Sequence, residues 1–326
     1  MRGASAAASL GLVVAAIGAG YLYHVTGTYG FHFLLKRGGS VWTPATPDDP
    51  RISPGMRLAL KPNPPVPTAG TVAWTETMAG FETAEMPVLA GGVEVDRVSL
   101  ARFDPARWDF AVRNDPDGKR DPSDWLAATG ATFMINGSYF ERTGLPSVPM
   151  VEDGVRKGPE EYDARHGAFV ASTQGASVVD LAGKDWAKAF GDARQATVSY
   201  PMLIGDDGAS RAKGDDRWLA NRSFVAVDGS GRIVFGTTRD AYLSLNRLGP
   251  FLAGSPLGLK VALNLDGGPL ACQAIDAPGM RRDFCGTYEM STREDQLSLL
   301  RPRFEGGRWG LAMAITASPK RFGEGR

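Results

Sequence analysis

The chain has 326 residues, 36 basic and 36 acidic side chains and a hydrophobic share of 43%, values of a folded globular chain that exclude a largely disordered one. With zero formal net charge and a pI of about 6.9, no overall positive field recruits nucleic acid. The 41 glycines and 22 prolines exclude a helix bundle and predict many turns and short strands.

The N-terminus comes first. From Gly3 to Leu35 no residue carries a formal charge, and the densest apolar part runs from Ala6 to Tyr23 behind Arg2. A bilayer core takes about 20 mainly apolar residues, so residues 1–26 are expected to form an uncleaved signal anchor or transmembrane helix. Tyr21, Tyr23 and His24 sit where interface residues would. Gly18-Ala19-Gly20 keeps a cleaved signal peptide open as the rival reading. Either one places the remainder outside the cytoplasm, facing the periplasm or cell exterior. Residues 27–70 are expected to form a Pro-rich stalk, because the eight prolines between Val41 and Pro67 lack amide donors and fix φ. An irregular loop packed on the body is the other reading.

Residues 71–326 read as one α+β domain with a sheet-rich core. Val93 to Leu100 alternates as a strand, and Phe110-Ala111-Val112 follows the turn residues Asp104-Pro105. Asp121-Pro122-Ser123 opens a short helix through Trp125. Ala131 to Ile135 is a continuous apolar run that stops at Asn136-Gly137, the pattern of a buried strand ending in a turn. Ala168–Ala171 and Ser177–Leu181 form a strand pair around Gln174-Gly175, and Lys184 to Arg194 suggests a helix. Ser223–Val227 and Arg232–Gly236 flank Asp228-Gly229-Ser230-Gly231, the clearest hairpin in the chain, with Asp228 purely structural. Leu243 to Ala253 reads as a helix broken at Gly249-Pro250. Lys260 to Leu265 is a second buried strand, ending at Asp266-Gly267-Gly268, and Gly310 to Thr316 a last one.

Three histidines and two cysteines are too few for a Cys/His zinc cage. Only His166 lies in the body, which disfavours a Ser–His–Asp hydrolase. Nothing in the spacing of oxygen ligands around Asp266 demands Ca²⁺ or Mg²⁺, so no metal and no cofactor is expected. Cys272 and Cys285 are an even pair, which in an exported chain fits a disulfide; two free thiols in the core are the alternative.

Two strand ends carry similar punctuation: Asn136-Gly137-Ser138-Tyr139-Phe140 and Asn264-Leu265-Asp266-Gly267-Gly268. Glycine after a polar residue at a sheet rim permits close approach of a ligand to the backbone, and consecutive turn amides can form an anion-binding concavity. These segments resemble, in order, motifs of the phosphodiester glycosidase family. Asn136 to Phe140 is similar to that family's Asn-Gly-Gly-Phe-Phe, and Ser199 to Ile204 to its Gly-Pro-Leu-Leu strand. Arg222 to Asp228 is similar to Arg-Thr-Ala-Ile-Gly-Ile-Asp. Thr237-Thr238-Arg239 sits where the family often has Asp-Gly-Arg, and Ala262 to Gly268 matches Ala-Leu-Asn-Leu-Asp-Gly-Gly closely. The resemblance covers roughly Val93 to Ile315. Where the family continues with Gly-Ser-Ser, this chain has Pro269-Leu270-Ala271, which removes an amide donor and hydroxyls.

The resemblance implies hydrolysis of a sugar-1-phosphodiester in a phosphate-linked glycan or glycolipid. A phosphate monoester leaves already charged and needs cations and amide donors more than a general acid. On that basis Asp266 is expected to face the anomeric carbon, with Glu141 as the second carboxylate. Arg222 and Arg239, with the amides of Gly267 and Gly268, are expected to hold the phosphate. Asn136, Gly137, Tyr139 and Asn264 are expected around the sugar. A non-catalytic glycan-binding or envelope polysaccharide assembly protein on the same fold is the main alternative, and a scaffold or inhibitor acting through its surface the third.

Overall fold

The computed structural model describes residues 9–24, 40–213, 216–287, 289–293, 296–302 and 309–320. Four antiparallel sheets organise the body. The largest has eight strands. Seven run in the order Met202–Ile204, Leu259–Asn264, Ser223–Asp228, Ile233–Thr238, Val93–Phe103, Phe81–Ala90 and Thr68–Ala69, with Thr75–Met78 paired to Phe81–Ala90. Its central strands are buried on both faces, which explains why Ser223–Asp228 and Ile233–Thr238 read as near-continuous apolar runs. The expected hairpin forms between them with Val227 opposite Ile233. Asp228 closes its turn by accepting the amides of Ser230 and Arg232 at 2.8 and 3.0 Å.

One face of the large sheet packs against a five-stranded sheet in the order Met280–Cys285, Cys272–Ala277, Phe133–Asn136, Met313–Pro319 and Trp108–Asn114. Between them lies an aromatic core of Phe81, Phe103, Phe110, Phe133, Phe235 and neighbouring aliphatics. A second five-stranded sheet, which includes Gly167–Ser172 and Gln195–Ser199, closes the end of this core with Phe169. The opposite face of the large sheet is covered by the helices Pro54–Ala59 and Leu245–Ala253 and by a four-stranded sheet. That sheet runs Ser40–Pro44, Gln296–Pro302, Glu289–Arg293, Trp218–Ala220. The helix Pro122–Thr129 begins where expected, with Asp121 and Asp124 in a reciprocal capping box and Gly130 left-handed at its end. Leu245–Ala253 continues through Pro250 rather than breaking there.

Two N-terminal expectations change. Residues 9–24 are helical. Among the described residues no helix is long and apolar enough to cross a membrane, so the expected transmembrane anchor is not supported. Residues 1–8 and 25–39 lie outside the described residues. From residue 40 onward the stretch expected as a stalk instead contributes the strands Ser40–Pro44 and Thr68–Ala69 and the helix Pro54–Ala59. Ser53 caps Pro54–Ala59 by accepting the Met56 amide, and Ile52, Met56 and Ala59 are buried in the main core. Proline at the first helical position is preorganised for a helix, and the apolar residues between the prolines carry the packing.

Cys272 and Cys285 face each other across the hairpin Cys272–Ala277/Met280–Cys285 and are disulfide-bonded. Of the two readings open from sequence, the bonded pair is the one present.

Candidate active site

The two punctuated strand ends meet. Phe133–Asn136 belongs to the five-stranded sheet and Leu259–Asn264 to the large one, so their following turns bridge the two layers. Asn136 holds the junction. Its Nδ2 donates to the Asp266 carbonyl at 2.8 Å, and its Oδ1 accepts the Cys272 amide at 3.1 Å. The Asp266 amide donates to the Gly137 carbonyl at 3.2 Å. A side chain at Gly137 would meet Met313 Cβ at 2.8 Å, so the close layer contact requires glycine there.

Above this junction is a pocket of ≈ 290 Å³ lined by Tyr139, Trp218, Arg222, Leu245, Asp266, Gly267, Gly268 and Glu289. Asp266 keeps part of its surface open to it, while Gly267 donates its amide to the Asp266 carboxylate at 2.8 Å. Burial pushes the Asp266 carboxyl up to about 7; the Glu289 charge adds to this, and the Gly267 amide and Arg222 oppose it. Glu289 accepts from Trp218 Nε1 at 2.8 Å and is likewise raised by burial, against the pull of that bond and of Arg222. Arg222 is 6% exposed. Its Nε donates to the Leu243 carbonyl at 3.1 Å and its Nη2 to the Trp218 carbonyl at 2.9 Å. Burial lowers its pKa, and the acidic groups Tyr139, Glu289 and Asp266 oppose that. Burial thus holds the proton on both carboxyls to higher pH, and Arg222 opposes that in each.

Tyr139 stacks on Tyr200 with ring centroids 4.1 Å apart. Its hydroxyl donates to the Tyr200 carbonyl at 2.9 Å and accepts from Asn264 Nδ2 at 2.9 Å. Burial, and then the Asp266 charge, raise it well above the ordinary tyrosine range, so it stays protonated. Asn264 is a buried brace beneath the pocket, bonded also to the Tyr200 and Leu265 carbonyls, while its Oδ1 has no partner.

Of the residues singled out from sequence, Tyr139, Arg222, Asp266, Gly267 and Gly268 therefore line one pocket, and Asn136, Gly137 and Asn264 build its floor. Two residues fall elsewhere. Glu141 is exposed in the turn beyond Phe140, where its charge bears on Tyr200 rather than on the pocket. Arg239 leaves the end of Ile233–Thr238 toward the opposite strand Val93–Phe103. There Nε donates to Ser99 Oγ at 3.0 Å, Nη2 pairs with Glu85 at 3.2 Å, and the guanidinium covers the Phe284 ring. The expected amide cradle also differs. The Gly267 amide is bonded to Asp266, and the Gly268 amide to the Asn221 carbonyl at 2.8 Å. Gly268 has φ +64°, and a Cβ there would lie 2.6 Å from Glu289 Oε2, so glycine lets that carboxyl approach the turn. Sequence reasoning missed Glu289 and Trp218. They reach the pocket through the pairing of Trp218–Ala220 with Glu289–Arg293, which no local pattern announces.

Residues 129–272 match the model of the phosphodiester glycosidase family. The resemblance carried by the strand-end motifs is thus shown over a segment that contains Tyr139, Trp218, Arg222 and Asp266; Glu289 lies beyond it. Among solved structures, a hypothetical protein from Synechocystis superposes with a TM-score of 0.55 at 15% identity, over 77% of this chain and 64% of that one. This chain thus spans under two thirds of that protein's length. The catalytic domain of zebrafish N-acetylglucosamine-1-phosphodiester alpha-N-acetylglucosaminidase, auto-inhibited by its pro-peptide, superposes with a TM-score of 0.51 at 14% identity, over 86% and 88%. At such identities the likeness is one of fold. No curated protein matches by sequence.

Proposed function

We propose that this chain is a phosphodiester glycosidase that hydrolyses the anomeric C–O bond of a sugar-1-phosphodiester. The observation that carries the reading is the pocket with Asp266 and Glu289 around the buried Arg222. In this reading Arg222 holds the phosphate, where a charge-assisted contact in a water-poor site counts most. One of the two carboxyls, ionised, faces the anomeric carbon as it gains oxocarbenium character. A water adds to that carbon, the C–O bond to the phosphate breaks, and the water's proton passes to the carboxylate. The products are the free sugar and a phosphate monoester, which departs as an anion without needing protonation. Tyr139, kept neutral, orients a sugar hydroxyl. The substrate class is a phosphate-linked glycan or glycolipid, and the named activity of the zebrafish relative makes N-acetylglucosamine-1-phosphodiesters the first to try. The Cys272–Cys285 disulfide supports an extracytoplasmic location, since such bonds persist in oxidising compartments.

A second reading, glycan binding without turnover, is favoured by one observation: the Gly267 and Gly268 amides are engaged internally, leaving Arg222 as the pocket's cation. Release of free sugar from a panel of sugar-1-phosphodiesters separates the two. We expect the parent to release sugar and Asp266→Asn, folded to the same extent, to lose at least a hundredfold, the scale of removing one transition-state contact. Full activity in Asp266→Asn would remove that residue from the mechanism; binding without release by the parent would favour the second reading.

A further inference from the structure

The four-stranded sheet presents an aromatic face that leads out of the pocket. Its inner side is apolar and buried: Leu219, Met290, Leu297 and Leu299 join the main core. On the outer side, register places Trp42 opposite Leu300, Leu300 opposite Glu289, and Glu289 opposite Ala220. Directly paired residues share a face, so Trp42 and Glu289 point to the same side. Trp218, two residues from Ala220, joins them. The Trp42 and Trp218 rings meet edge to face at 6.1 Å. Trp218 is at once a wall of the pocket and the donor to Glu289. Trp42 is 44% exposed. Ala220 and Leu300 on this side are buried, whereas Trp42 leaves its ring open beside the polar pocket.

We propose that Trp42 and Trp218 form a stacking subsite for a second sugar ring, carried on the far side of the scissile phosphate. The inference rests on the hydrolase reading above. The Trp42 ring touches Trp218, which in turn bonds Glu289, so the outer face of the two indoles begins at the pocket wall. A pyranose offers an apolar C–H face bordered by hydroxyls. Tryptophan matches it with a large rigid surface and little entropy to lose, and no charged side chain is needed. The surface is continuous with the pocket, which commits the occupant to the substrate's own non-reacting half rather than to a separate partner.

The test uses the full chain and two diesters of N-acetylglucosamine-1-phosphate, one closed by a methyl group and one by a second hexose. In Trp42→Ala, KM for the hexosyl diester should rise about fivefold, the scale of a lost aromatic contact, with kcat held. KM for the methyl diester should not change. Trp42→Tyr should restore most of the difference. An equal loss on both diesters, or no loss on the hexosyl one, overturns the subsite. If the parent turns over neither diester, the hydrolase reading fails separately. The subsite is then judged by quenching of tryptophan fluorescence with the hexosyl diester. Quenching at least fivefold tighter than with the methyl diester, and lost in Trp42→Ala, sustains it; equal quenching by the two refutes it.

Discussion

Replacing Arg222 with methionine tests the electrostatic core of the site. The side chain is 6% exposed and makes two charge-assisted bonds, at 3.1 Å to the Leu243 carbonyl and 2.9 Å to the Trp218 carbonyl. Bonds from a charged donor contribute about 1.5–3 kcal/mol each, and removing one partner from a buried ionic group costs about 3–5 kcal/mol. The methionine fills much of the volume, so the expected loss is about 3–5 kcal/mol, a large part of a typical folding free energy of about 5–15 kcal/mol. A second effect has a defined sign. Arg222 lowers both Asp266 and Glu289, so without it both carboxyls hold their protons to higher pH. A limb of the rate profile that reports carboxyl ionisation should move alkaline from its position near 7, and turnover should fall about 10²–10³-fold at any pH where the variant is folded. Arg222→Lys, which keeps the charge but not both bonds, should recover the profile's position more than the rate. The assays are thermal unfolding and sugar release between pH 4 and 9. An unshifted profile, with turnover within about threefold of the parent, would show that Arg222 merely braces the strand start and would sink the clamp.

Three further outcomes follow from the same geometry. Glu289→Gln keeps an acceptor for Trp218 but removes one charge beside Asp266, so the Asp266 midpoint should fall below about 7; an unmoved midpoint would refute the coupling. Asp96 is buried beside Asp240, and its carboxyl is pushed up to about 7 by burial and then by that charge. The folded state therefore binds the extra proton, stability is greatest below the unfolded value near 4 and falls as pH rises to about 7, and Asp96→Asn should flatten the dependence of Tm across that window; an equally steep Tm curve in the variant would place the dependence elsewhere. Reduction of Cys272–Cys285, 13 residues apart, should cost roughly 3 kcal/mol by chain entropy, seen as a lower urea midpoint in dithiothreitol with sugar release intact below the transition; an unmoved midpoint would mean that the unfolded hairpin is already constrained.

What was legible in the sequence was local. The runs Phe133–Asn136 and Leu259–Asn264 are fully or largely buried strands that end in polar-glycine turns, and both their extent and their punctuation are written in neighbouring residues. So is the hairpin around Asp228. The meeting of the two turns is not local, yet motif order carried it, because that order reflects how the layers join. Glu289 and Trp218 were invisible for the opposite reason. They lie 71 residues apart, outside any shared motif, and only antiparallel pairing sets the carboxylate against the indole. Arg239 misled because its place after a hairpin matched a motif, while the next two strands of the sheet, Val93–Phe103 and Phe81–Ala90, supply Ser99 and Glu85 as nearer partners. The eight prolines likewise suggested a stalk, though the burial of Ile52, Met56 and Ala59 between them decided the outcome.

The segment Pro269-Leu270-Ala271 stands where the family carries Gly-Ser-Ser, and its placement shows what that departure means. Gly268–Leu270 is a single 3₁₀ turn, in which Pro269 occupies an early position that needs no amide donor. Pro269 and Ala271 are buried beneath the pocket. The Ala271 amide returns to the Gly268 carbonyl at 3.1 Å, and its carbonyl accepts the Gly286 amide at 2.7 Å. The Pro269 carbonyl faces Cys272 Sγ at 3.8 Å, so the turn feeds straight into the disulfide-closed hairpin. None of these three residues lines the pocket. The altered stretch thus supports the turn from below, whereas Asp266, Glu289 and Arg222, the groups that could bear charge in a reaction, are all present above it. In this chain, anion binding has to come from Arg222 and from the protonation state of two carboxyls, which makes the pH profile the more direct probe of mechanism than restoring serines to the turn.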